Sequence, residues 1–447
     1  MARARGLYEA LRNGSLKALS LGLERVCRLV VVVVMAPVIG QVAFGQYIFA
    51  STVTALLALG TDLGLGVWTT RSVARASGEG AATARSRQEI VEVGLAIRGL
   101  AAVPYACAVA VVAVTTLEGS ARVAMGLLGI AALANAFGDH FAAIVRGFER
   151  FADEARLNAT RAILLAVAGL VTVTVTRSLV GLCAGLAAAN VGGVLVGAAL
   201  LRRLVPSRPP VPPVAGGAPQ RLAALRLDRS LAKAALSQSL PLWVGGIFSM
   251  LYFKIDTLFV RSLAGDAALG VYGAAFKVFE GAMILPSIFL SVSFPRLARA
   301  HGDAVAQHRL EKHLATLLFA TGLLVGAVCF VGGTPIVRLL FGARFGDAVF
   351  SLRVLAVGIP LLFLNYGLTH FLIARDLGKL TQWASITMLG LNVVLDVTLI
   401  PRGGGVGAAW ATVLTELGLT AWCVAGLRIA APAPRTPPQV RAASRTG

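Results

Sequence analysis

Charge is scarce in this sequence. Only 14% of its 447 residues are charged and its mean hydropathy is +0.79, whereas an average soluble protein has about 25% charged residues. Stretches without any charged residue run over 99–117, 178–201, 234–253 and 354–374. Each is long enough to cross an apolar layer that needs about 20 helical residues. These features exclude a soluble globular protein and predict an all-α integral membrane protein, because backbone groups in hydrocarbon must bond within helices.

Histidine and cysteine are also rare, with five residues of each. The cysteines all fall in apolar runs without metal-ligand spacing, which is typical of small buried residues. The sequence has no zinc pattern, no nucleophile motif and no phosphate-binding loop of the type found in ATP-driven pumps. We therefore assign no catalytic residue, no metal and no other cofactor, and we predict that the protein is not an enzyme.

The apolar runs predict about twelve transmembrane helices. They are expected at 18–37, 44–68, 89–115, 123–145, 157–176, 178–201, 235–260, 268–294, 314–332, 351–374, 383–400 and 406–427. A segment rich in proline, 202–234, separates the first six from the last six, since proline forbids a continuous helix. The predicted organisation is an N-terminal bundle (1–201), a cytoplasmic linker (202–234), a C-terminal bundle (235–428) and a disordered tail (429–447).

The net charge of +20 is unevenly placed between the predicted helices. Lysine and arginine accumulate at both termini and in the loops after even-numbered helices. The remaining loops contain only Arg122, Arg177, Arg261, Arg338, Arg344 and Arg402. Basic residues mark the cytoplasmic side of short loops, so both termini are expected in the cytoplasm and the chain in the inner membrane. Nucleic-acid binding is excluded, because no soluble segment combines a basic patch with aromatic residues.

The two halves of the chain also contain a repeat. Gly-Gln-Tyr at 45–47 matches Gly-Val-Tyr at 270–272, and Arg71, which opens the following loop, matches Arg296. Both pairs are separated by 225 residues without a gap. Six helices per half give the halves the same orientation, so the repeat predicts two bundles related by a pseudo-twofold axis normal to the membrane. In such transporters the substrate lies between the repeats near the midplane.

Three segments carry further patterns in a fixed order. Segment 252–299 has an Asp in predicted helix 7, Gly-x-Tyr-x-Ala-Ala opening helix 8 and a Pro closing it. Segment 391–416 has Asn, Ile-Pro, Gly and Gly-Ala-Ala-x-Ala-Thr joining helices 11 and 12, and segment 40–75 has Gly-x-Tyr and a glycine-rich end. Together they resemble the polysaccharide-biosynthesis flippases, the Wzx-type branch of the multidrug/oligosaccharidyl-lipid/polysaccharide exporter superfamily.

The resemblance implies a two-bundle, alternating-access transporter. It implies a cargo of polyprenyl-pyrophosphate-linked oligosaccharide, moved from the cytoplasmic to the outer leaflet for surface polysaccharide biosynthesis. A glycan polymerase or glycosyltransferases are then the candidate protein partners. Many relatives have fourteen helices, the lipid II flippase included, so twelve helices favour a glycan carrier over a lipid II flippase without excluding the latter.

Seven basic residues fall inside the predicted helices, where each costs about 2.5–3.5 kcal/mol at the helix centre unless it faces a polar environment. We expect Arg25, Arg28, Arg98, Lys254 and Lys277 to line a cationic cavity, since guanidinium and ammonium groups bind phosphate oxygens. The alternative for the arginines is that they extend to the headgroups. We expect that outcome for the remaining two, Arg161 and Arg353.

Several acids also fall inside helices. Asp62, Asp256, Glu280 and Asp396 are candidates for coupling to a gradient of H⁺ or Na⁺, or for pairing with basic residues. Lys277 lies one turn before Glu280, so these two are expected to form an ion pair.

The main alternative function is a multidrug or organic-cation antiporter of the same superfamily. It would need a cavity dominated by acids and aromatic residues. The helical basic residues outnumber the acids expected to be well buried, which favours an anionic cargo.

Overall fold

The computed structural model describes residues 2–76, 81–205, 228–299 and 304–429, which form helices joined by short turns. The helices are α1 Ala2–Asp62, α2 Leu65–Arg75, α3 Ala81–Thr116, α4 Gly119–Gly147, α5 Phe151–Thr176, α6 Leu179–Leu204, α7 Arg229–Ala282, α8 Ile284–Arg299, α9 Ala304–Val331, α10 Gly333–Phe341, α11 Ala348–Ala374 and α12 Gly378–Ile429. These residues contain no strand. The prediction of an all-α fold is therefore confirmed for this part of the chain.

Nine stretches of the described residues are helices long and apolar enough to cross a membrane. Three long helices, α1, α7 and α12, each contain a glycine with non-helical backbone angles, at Gly40, Gly265 and Gly404. Each glycine lies between two segments that the sequence predicts as separate helices. The chain thus changes direction at a single glycine where a short loop was expected, and the count of about twelve helices stays a prediction.

The outer surface of the molecule is apolar. Val175, Val331 and Leu339 are 77%, 80% and 85% exposed, and many other large aliphatic residues are exposed as well. Exposed apolar surface on this scale marks contact with a membrane. Combined with the apolar helices, it shows a multi-pass membrane protein.

The helices pack in two sets that follow the chain. In the first set α4 packs on α6 and α5 packs on α1, and in the second α12 packs on α7 and α11 packs on α9. The broadest contact between the sets joins α1 to α7. The division of the chain into two six-helix bundles stays a prediction.

The contact between α1 and α7 follows the sequence repeat. A Cβ atom added to Gly45 would overlap the carbonyl oxygen of Asp266, and one added to Gly270 would overlap that of Gln41. Position 45 is thus equivalent to position 270, and position 41 to position 266, because each pair is separated by 225 residues. Gly40 and Gly265 also share backbone angles, with φ 81 and 88 and ψ 172 and 174. The two helices therefore cross through a contact with local twofold symmetry, and only glycine allows it to be this close.

Segment 333–350, which joins the predicted helices 314–332 and 351–374 and is expected to be a loop, contains α10, a turn of 3-10 helix (Ala343–Phe345) and the start of α11. Its aromatic residues are buried. The rings of Phe341 and Phe345 contact Phe44 of α1, with centroid distances of 6.4 and 5.7 Å. The expectation of a loop is wrong here because these rings anchor the segment against α1.

The predicted linker is helical at both of its described ends. Helix α6 continues to Leu204 and α7 begins at Arg229, while 206–227 and the tail from 430 onward lie outside the described residues. Asp228 caps α7 by accepting from the backbone N–H groups of Ser230 and Leu231 at 2.9 and 3.3 Å. The Ser230 hydroxyl and these backbone donors lower the pKa of the Asp228 carboxyl, as expected for a carboxylate at a helix N-terminus.

Candidate functional site

A cavity of about 610 Å³ opens between α1, α3, α4, α5, α6 and α7. Its charged lining residues are Arg28, Asp62, Arg98, Asp139 and Lys277. Its uncharged polar lining residues include Tyr47, Ser51, Thr54, Asn135 and Asn190. Three basic groups against two carboxylates give this lining one net positive charge. Three of the five predicted cavity residues, Arg28, Arg98 and Lys277, therefore lie together.

Arg98 lines the cavity as part of an ion pair in which its partner, Asp62, is the more exposed group. Its side chain is buried, 1% exposed, and pairs with Asp62 at the end of α1, which is 41% exposed. The guanidinium also donates to the carbonyl of Ala136 at 2.6 Å. Asp62 is held by the turn that follows α1, where the N–H of Gly64, at φ 75, donates to its other oxygen at 3.2 Å. The candidate coupling acid Asp62 is thus the counter-ion of Arg98.

Arg28 belongs to a polar chain that joins three helices. It pairs with Glu24 one turn earlier at 2.9 Å and donates to the side-chain oxygen of Asn135 on α4 at 3.2 Å. Asn135 donates to Asp139 at 3.0 Å, and Arg161 of α5 donates to Asp139 at 2.9 Å and to Asn135 at 3.0 Å. This network fixes the guanidinium of Arg28 at the cavity wall.

The expectation that Arg161 extends to the headgroups is wrong. Its side chain is 13% exposed and lies between Gly138 of α4 and Gly193 of α6. Added Cβ atoms on these glycines would come within 2.5 and 2.9 Å of it. The guanidinium stays inside because the two glycines leave room and Asp139 supplies a carboxylate. The Nε atom of Arg353, expected near the headgroups as well, is also buried.

Two lysines of α7 share one carboxylate. Lys254 Nζ lies 2.9 Å from Glu280 Oε1, and Lys277 Nζ lies 2.7 Å from Glu280 Oε2. The predicted pair of Lys277 with Glu280 is therefore confirmed, and Lys254 joins it from the part of α7 that precedes Gly265. Lys254 also lies 5.2 Å from the ring centres of Phe253 and Phe276. It does not line the cavity, whereas Lys277 does.

Arg25 lies apart from the cavity lining. It is exposed and donates to the hydroxyl of Ser287 on α8 at 2.8 Å. The structure therefore places two of the five predicted cavity residues, Arg25 and Lys254, outside the lining, one at the contact between α1 and α8 and one behind Glu280.

The second half of the chain buries carboxylates near one another. Asp256 of α7 accepts a hydrogen bond from the hydroxyl of Tyr272, whereas Lys254, two residues earlier, pairs with Glu280. Glu416 of α12 accepts from the Tyr252 hydroxyl at 2.6 Å and from the Asn365 amide at 2.7 Å. The space beside Asp256 and Glu416 measures only about 10 Å³.

Asp396 of α12 is the least satisfied of these acids. Its side chain is 0% exposed, and neither carboxylate oxygen has a hydrogen-bond partner among the described residues. The side-chain oxygen of Asn392, one turn earlier, is also buried without a partner, and Asp256 lies within electrostatic range of Asp396. Burying an isolated carboxylate is very costly, so this position requires a proton or a cation.

The described residues bury more acidic than basic side chains, although the seven helical basic residues outnumber the five well-buried acids as predicted. Their buried charged side chains are one arginine and five carboxylates, namely Arg98, Glu154, Asp256, Glu311, Asp396 and Glu416. The long basic side chains keep their heads at the cavity or the surface, whereas the shorter acids of α7 and α12 are enclosed by neighbouring helices. The cation excess is thus a property of the cavity and not of the interior as a whole.

Sequence reasoning missed the uncharged polar lining. Asn135 and Asn190 interrupt apolar stretches of α4 and α6, and a polar residue inside a membrane helix is itself a sign of function. Within the described residues, no group of three or more His, Cys, Asp or Glu side chains is placed to hold a metal ion.

A protein-family profile matches a large part of the chain. The profile of the family described as "Polysaccharide biosynthesis protein" matches residues 10–301. Among curated proteins, the "Probable flippase AglR" of Haloferax volcanii is 26% identical over 222 residues, which are 48% of this chain and 45% of that protein. The chain thus spans just under half the length of this relative.

Two of the solved structures that share the fold are membrane transporters. One is described as "Inward-facing conformation of a multidrug resistance MATE family transporter of the MOP superfamily" and has a TM-score of 0.70, 16% identity and coverage of 91% of this chain and 95% of that one. The other, "Lipid II flippase MurJ, inward closed conformation", has a TM-score of 0.68, 12% identity and coverage of 92% and 87%. At these identities the likeness shows the transporter fold alone.

Proposed function

Because the chain belongs to the polysaccharide biosynthesis protein family, we propose that it is a flippase for a lipid-linked glycan. In this proposal it moves a polyprenyl-pyrophosphate-linked oligosaccharide from the cytoplasmic to the outer leaflet for surface polysaccharide biosynthesis. Translocation makes and breaks no covalent bond, so we assign no catalytic residue. A relative named as a probable flippase supports this function.

The observation that carries the proposal is the cationic cavity. A pyrophosphate needs basic groups in a water-filled space, and Arg28, Arg98 and Lys277 line a cavity of about 610 Å³. Ligand sites generally occupy about 300–1,000 Å³, so this volume accommodates a pyrophosphate with several sugars. The polyprenyl tail remains in the bilayer.

The five basic residues have different roles in this proposal. Arg28 and Lys277 contact the phosphates, and Arg98 does so when the cargo displaces Asp62. Lys254 acts through Glu280, and Arg25 holds α1 to α8 through its hydrogen bond to Ser287. The uncharged lining residues, Tyr47 and Asn135 among them, supply hydrogen bonds for sugar hydroxyls.

The arrangement of helices supports alternating access. We propose that residues 1–201 rock against residues 235–428, with 202–234 as the connecting linker, around the contact at Gly45 and Gly270. The cargo lies between α1, α4 and Lys277 of α7, so its binding links the two sets of helices. Such rocking around a central site is common in transporters built from repeats.

We propose that the buried acids of the second half couple transport to a gradient of H⁺ or Na⁺. Asp396 needs a neutralising cation or proton, and Asp256 lies within its electrostatic range. Binding or release of that ion changes the charge buried between α7 and α12, which supplies a differential interaction between two conformations. Glu280, by contrast, is already paired with two lysines.

The proposed location is the cytoplasmic (inner) membrane with both termini in the cytoplasm, which the distribution of basic residues supports. A glycan polymerase or glycosyltransferases are the proposed partners, because they make and consume the cargo on either side. Reporter fusions at each terminus test the orientation.

Reconstitution tests the function directly. A lipid-linked oligosaccharide in proteoliposomes becomes accessible to an external glycosidase when it is flipped. We expect translocation by the wild type, and a fall of about tenfold or more, equivalent to 1.4 kcal/mol, for Arg28→Ala, Arg98→Ala and Lys277→Ala. Arg402→Ala, an exposed residue outside the cavity, is the control. Lipid II in the same assay distinguishes the two cargoes, which share the pyrophosphate.

The alternative, an organic-cation antiporter, is favoured by the acids and aromatic rings around Asp256, Tyr252, Phe253 and Phe276. The space there is only about 10 Å³, which is too small for an organic cation. Ethidium transport by the wild type without glycan translocation would nevertheless establish this alternative and overturn the flippase.

A further inference from the structure

Lys254, Lys277 and Glu280 form a cluster, here called the lysine–glutamate triad, whose charges do not balance. Each carboxylate oxygen of Glu280 accepts from one ammonium, at 2.9 Å for Lys254 and 2.7 Å for Lys277. A single carboxylate neutralises one of two cations. The triad by itself therefore keeps one unit of positive charge, and the neighbouring carboxylate of Asp256 is hydrogen-bonded to Tyr272 and forms no ion pair with either lysine.

The other cations near the cavity are paired one to one. Arg98 has Asp62, and Arg28 has Glu24 at 2.9 Å. Arg161 has Asp139 at 2.9 Å. In these pairs an incoming anion must compete with a carboxylate that has no other cation to satisfy it. In the triad it need not, because Glu280 keeps a partner after it releases one lysine.

The two lysines of the triad are not equivalent. Lys254 is 12% exposed and lies over the faces of Phe253 and Phe276, where cation–π attraction stabilises a desolvated ammonium. Lys277 is 27% exposed and lines the cavity. An anion in the cavity can therefore reach Lys277 but not Lys254.

We infer that Lys277 is the first contact of the cargo phosphate, and that Lys254 is a positioning residue that keeps Glu280 from neutralising it. This inference rests on the proposed function. A phosphate oxygen takes the place of Glu280 Oε2 at Lys277, while Glu280 retains its contact with Lys254. Lys277 belongs to α7 whereas Arg28 and Arg98 belong to α1 and α3, so an anion bridging them joins the two sets of helices.

Neutralisation of single charges within the triad tests the inference. The dissociation constant of farnesyl pyrophosphate, a short lipid pyrophosphate, is measured for the whole purified chain at low salt. Removal of Lys254 leaves a neutral pair, so Lys254→Gln should bind about tenfold more weakly, while Glu280→Gln should bind about tenfold more tightly, since each changes one nearby unit charge. The double variant restores the net charge and should return to within about threefold of the wild type.

Conservative and matched variants complete the test. Lys254→Arg keeps the charge and should retain wild-type affinity, and Lys233→Gln removes an exposed lysine of α7 as a control. A merely structural role predicts that the double variant is the weakest binder and that Glu280→Gln loses affinity. Either result overturns the inference. If Lys254→Gln does not fold, the affinity of Glu280→Gln alone decides the test. A wild type that binds no farnesyl pyrophosphate would instead contradict the proposed function.

Discussion

The first half of the chain pairs its charges around a cavity, whereas the second half buries carboxylates in a packed region. Arg98 and Asp62 meet beside a space of about 610 Å³, while Asp256 and Glu416 lie beside a space of only about 10 Å³. Asp396 has no partner among the described residues. The cavity is thus suited to a large anion, and the acid cluster to a proton or a small cation.

The sequence repeat makes this contrast sharper. Tyr47 and Tyr272 are equivalent, yet Tyr47 lines the cavity and Tyr272 donates to Asp256. At the same offset, Val31 corresponds to Asp256, and Ser287 corresponds to Asp62. Equivalent positions of the repeat therefore hold different side-chain chemistry in the two halves.

The largest expected difference in stability is between substitutions of a paired and an unpaired carboxylate, one from each half of the chain. Asp62→Asn leaves Arg98 buried without a counter-ion and should lower the free energy of unfolding by about 3 kcal/mol. Asp396→Asn removes a carboxylate that has no partner to lose and should change it by less than about 1 kcal/mol. Thermal unfolding in detergent measures both. Equal losses would show that Asp396 is a charged, paired group and contradict the comparison.

The next largest effect on stability is expected at the two equivalent glycines where α1 and α7 cross. Gly45→Ala and Gly270→Ala place a Cβ against a carbonyl of the other helix, so each should cost about 1–3 kcal/mol. Gly60→Ala and Gly281→Ala have nothing within 4 Å of the new Cβ and should be neutral or stabilising by up to about 1 kcal/mol. A large loss at only one of the crossing glycines would argue against the twofold contact.

A smaller effect separates the two equivalent tyrosines. Tyr272→Phe removes a buried donor to Asp256 and should cost about 1–2 kcal/mol. Tyr47→Phe retains the ring at the cavity wall and should stay within about 0.5 kcal/mol of the wild type. Chemical denaturation of the two variants side by side tests the pair, and a reversed order would contradict the assignment of Tyr272 to the acid cluster.

The smallest effect is expected at Ser287, the equivalent of Asp62. Its hydroxyl accepts from the exposed Arg25 at 2.8 Å, so Ser287→Ala should change the stability by no more than about 0.5 kcal/mol. A loss comparable with that of Asp62→Asn, measured in the same thermal assay, would mean that the contact between α1 and α8 is a main determinant of the fold.

The fold could be predicted from the sequence because it depends on local properties. Apolar runs without charge specify membrane helices, and the repeat at 45–47 and 270–272 predicts equivalent contacts. The turns within α1, α7 and α12 are harder to predict from the sequence. A single positive-φ glycine such as Gly40 redirects the chain without the polar residues that mark a loop, so its exact form requires the structure.

The candidate site was only partly predictable. The sequence indicates that Arg28, Arg98 and Lys277 need a polar environment, but not which partner each finds. Arg161 reaches Asp139 because glycines on two other helices leave space, and Lys254 reaches Glu280 across 26 residues. Such contacts depend on how helices pack, which hydropathy does not encode. The sequence places Asp256 and Asp396 inside helices, but their full enclosure depends on packing in the same way.

The most direct test of the account is the position of the cargo phosphate. A lipid pyrophosphate with a photoreactive group beside the phosphates can be cross-linked to the reconstituted protein, and the modified peptides identified by mass spectrometry. We expect cross-links to α1, α4 and the segment of α7 around Lys277, and we expect unlabelled lipid pyrophosphate to abolish them by competition. Competed cross-links at Asp256, Asp396 or Glu416 instead would place the cargo in the second half and contradict the division of roles between the two halves.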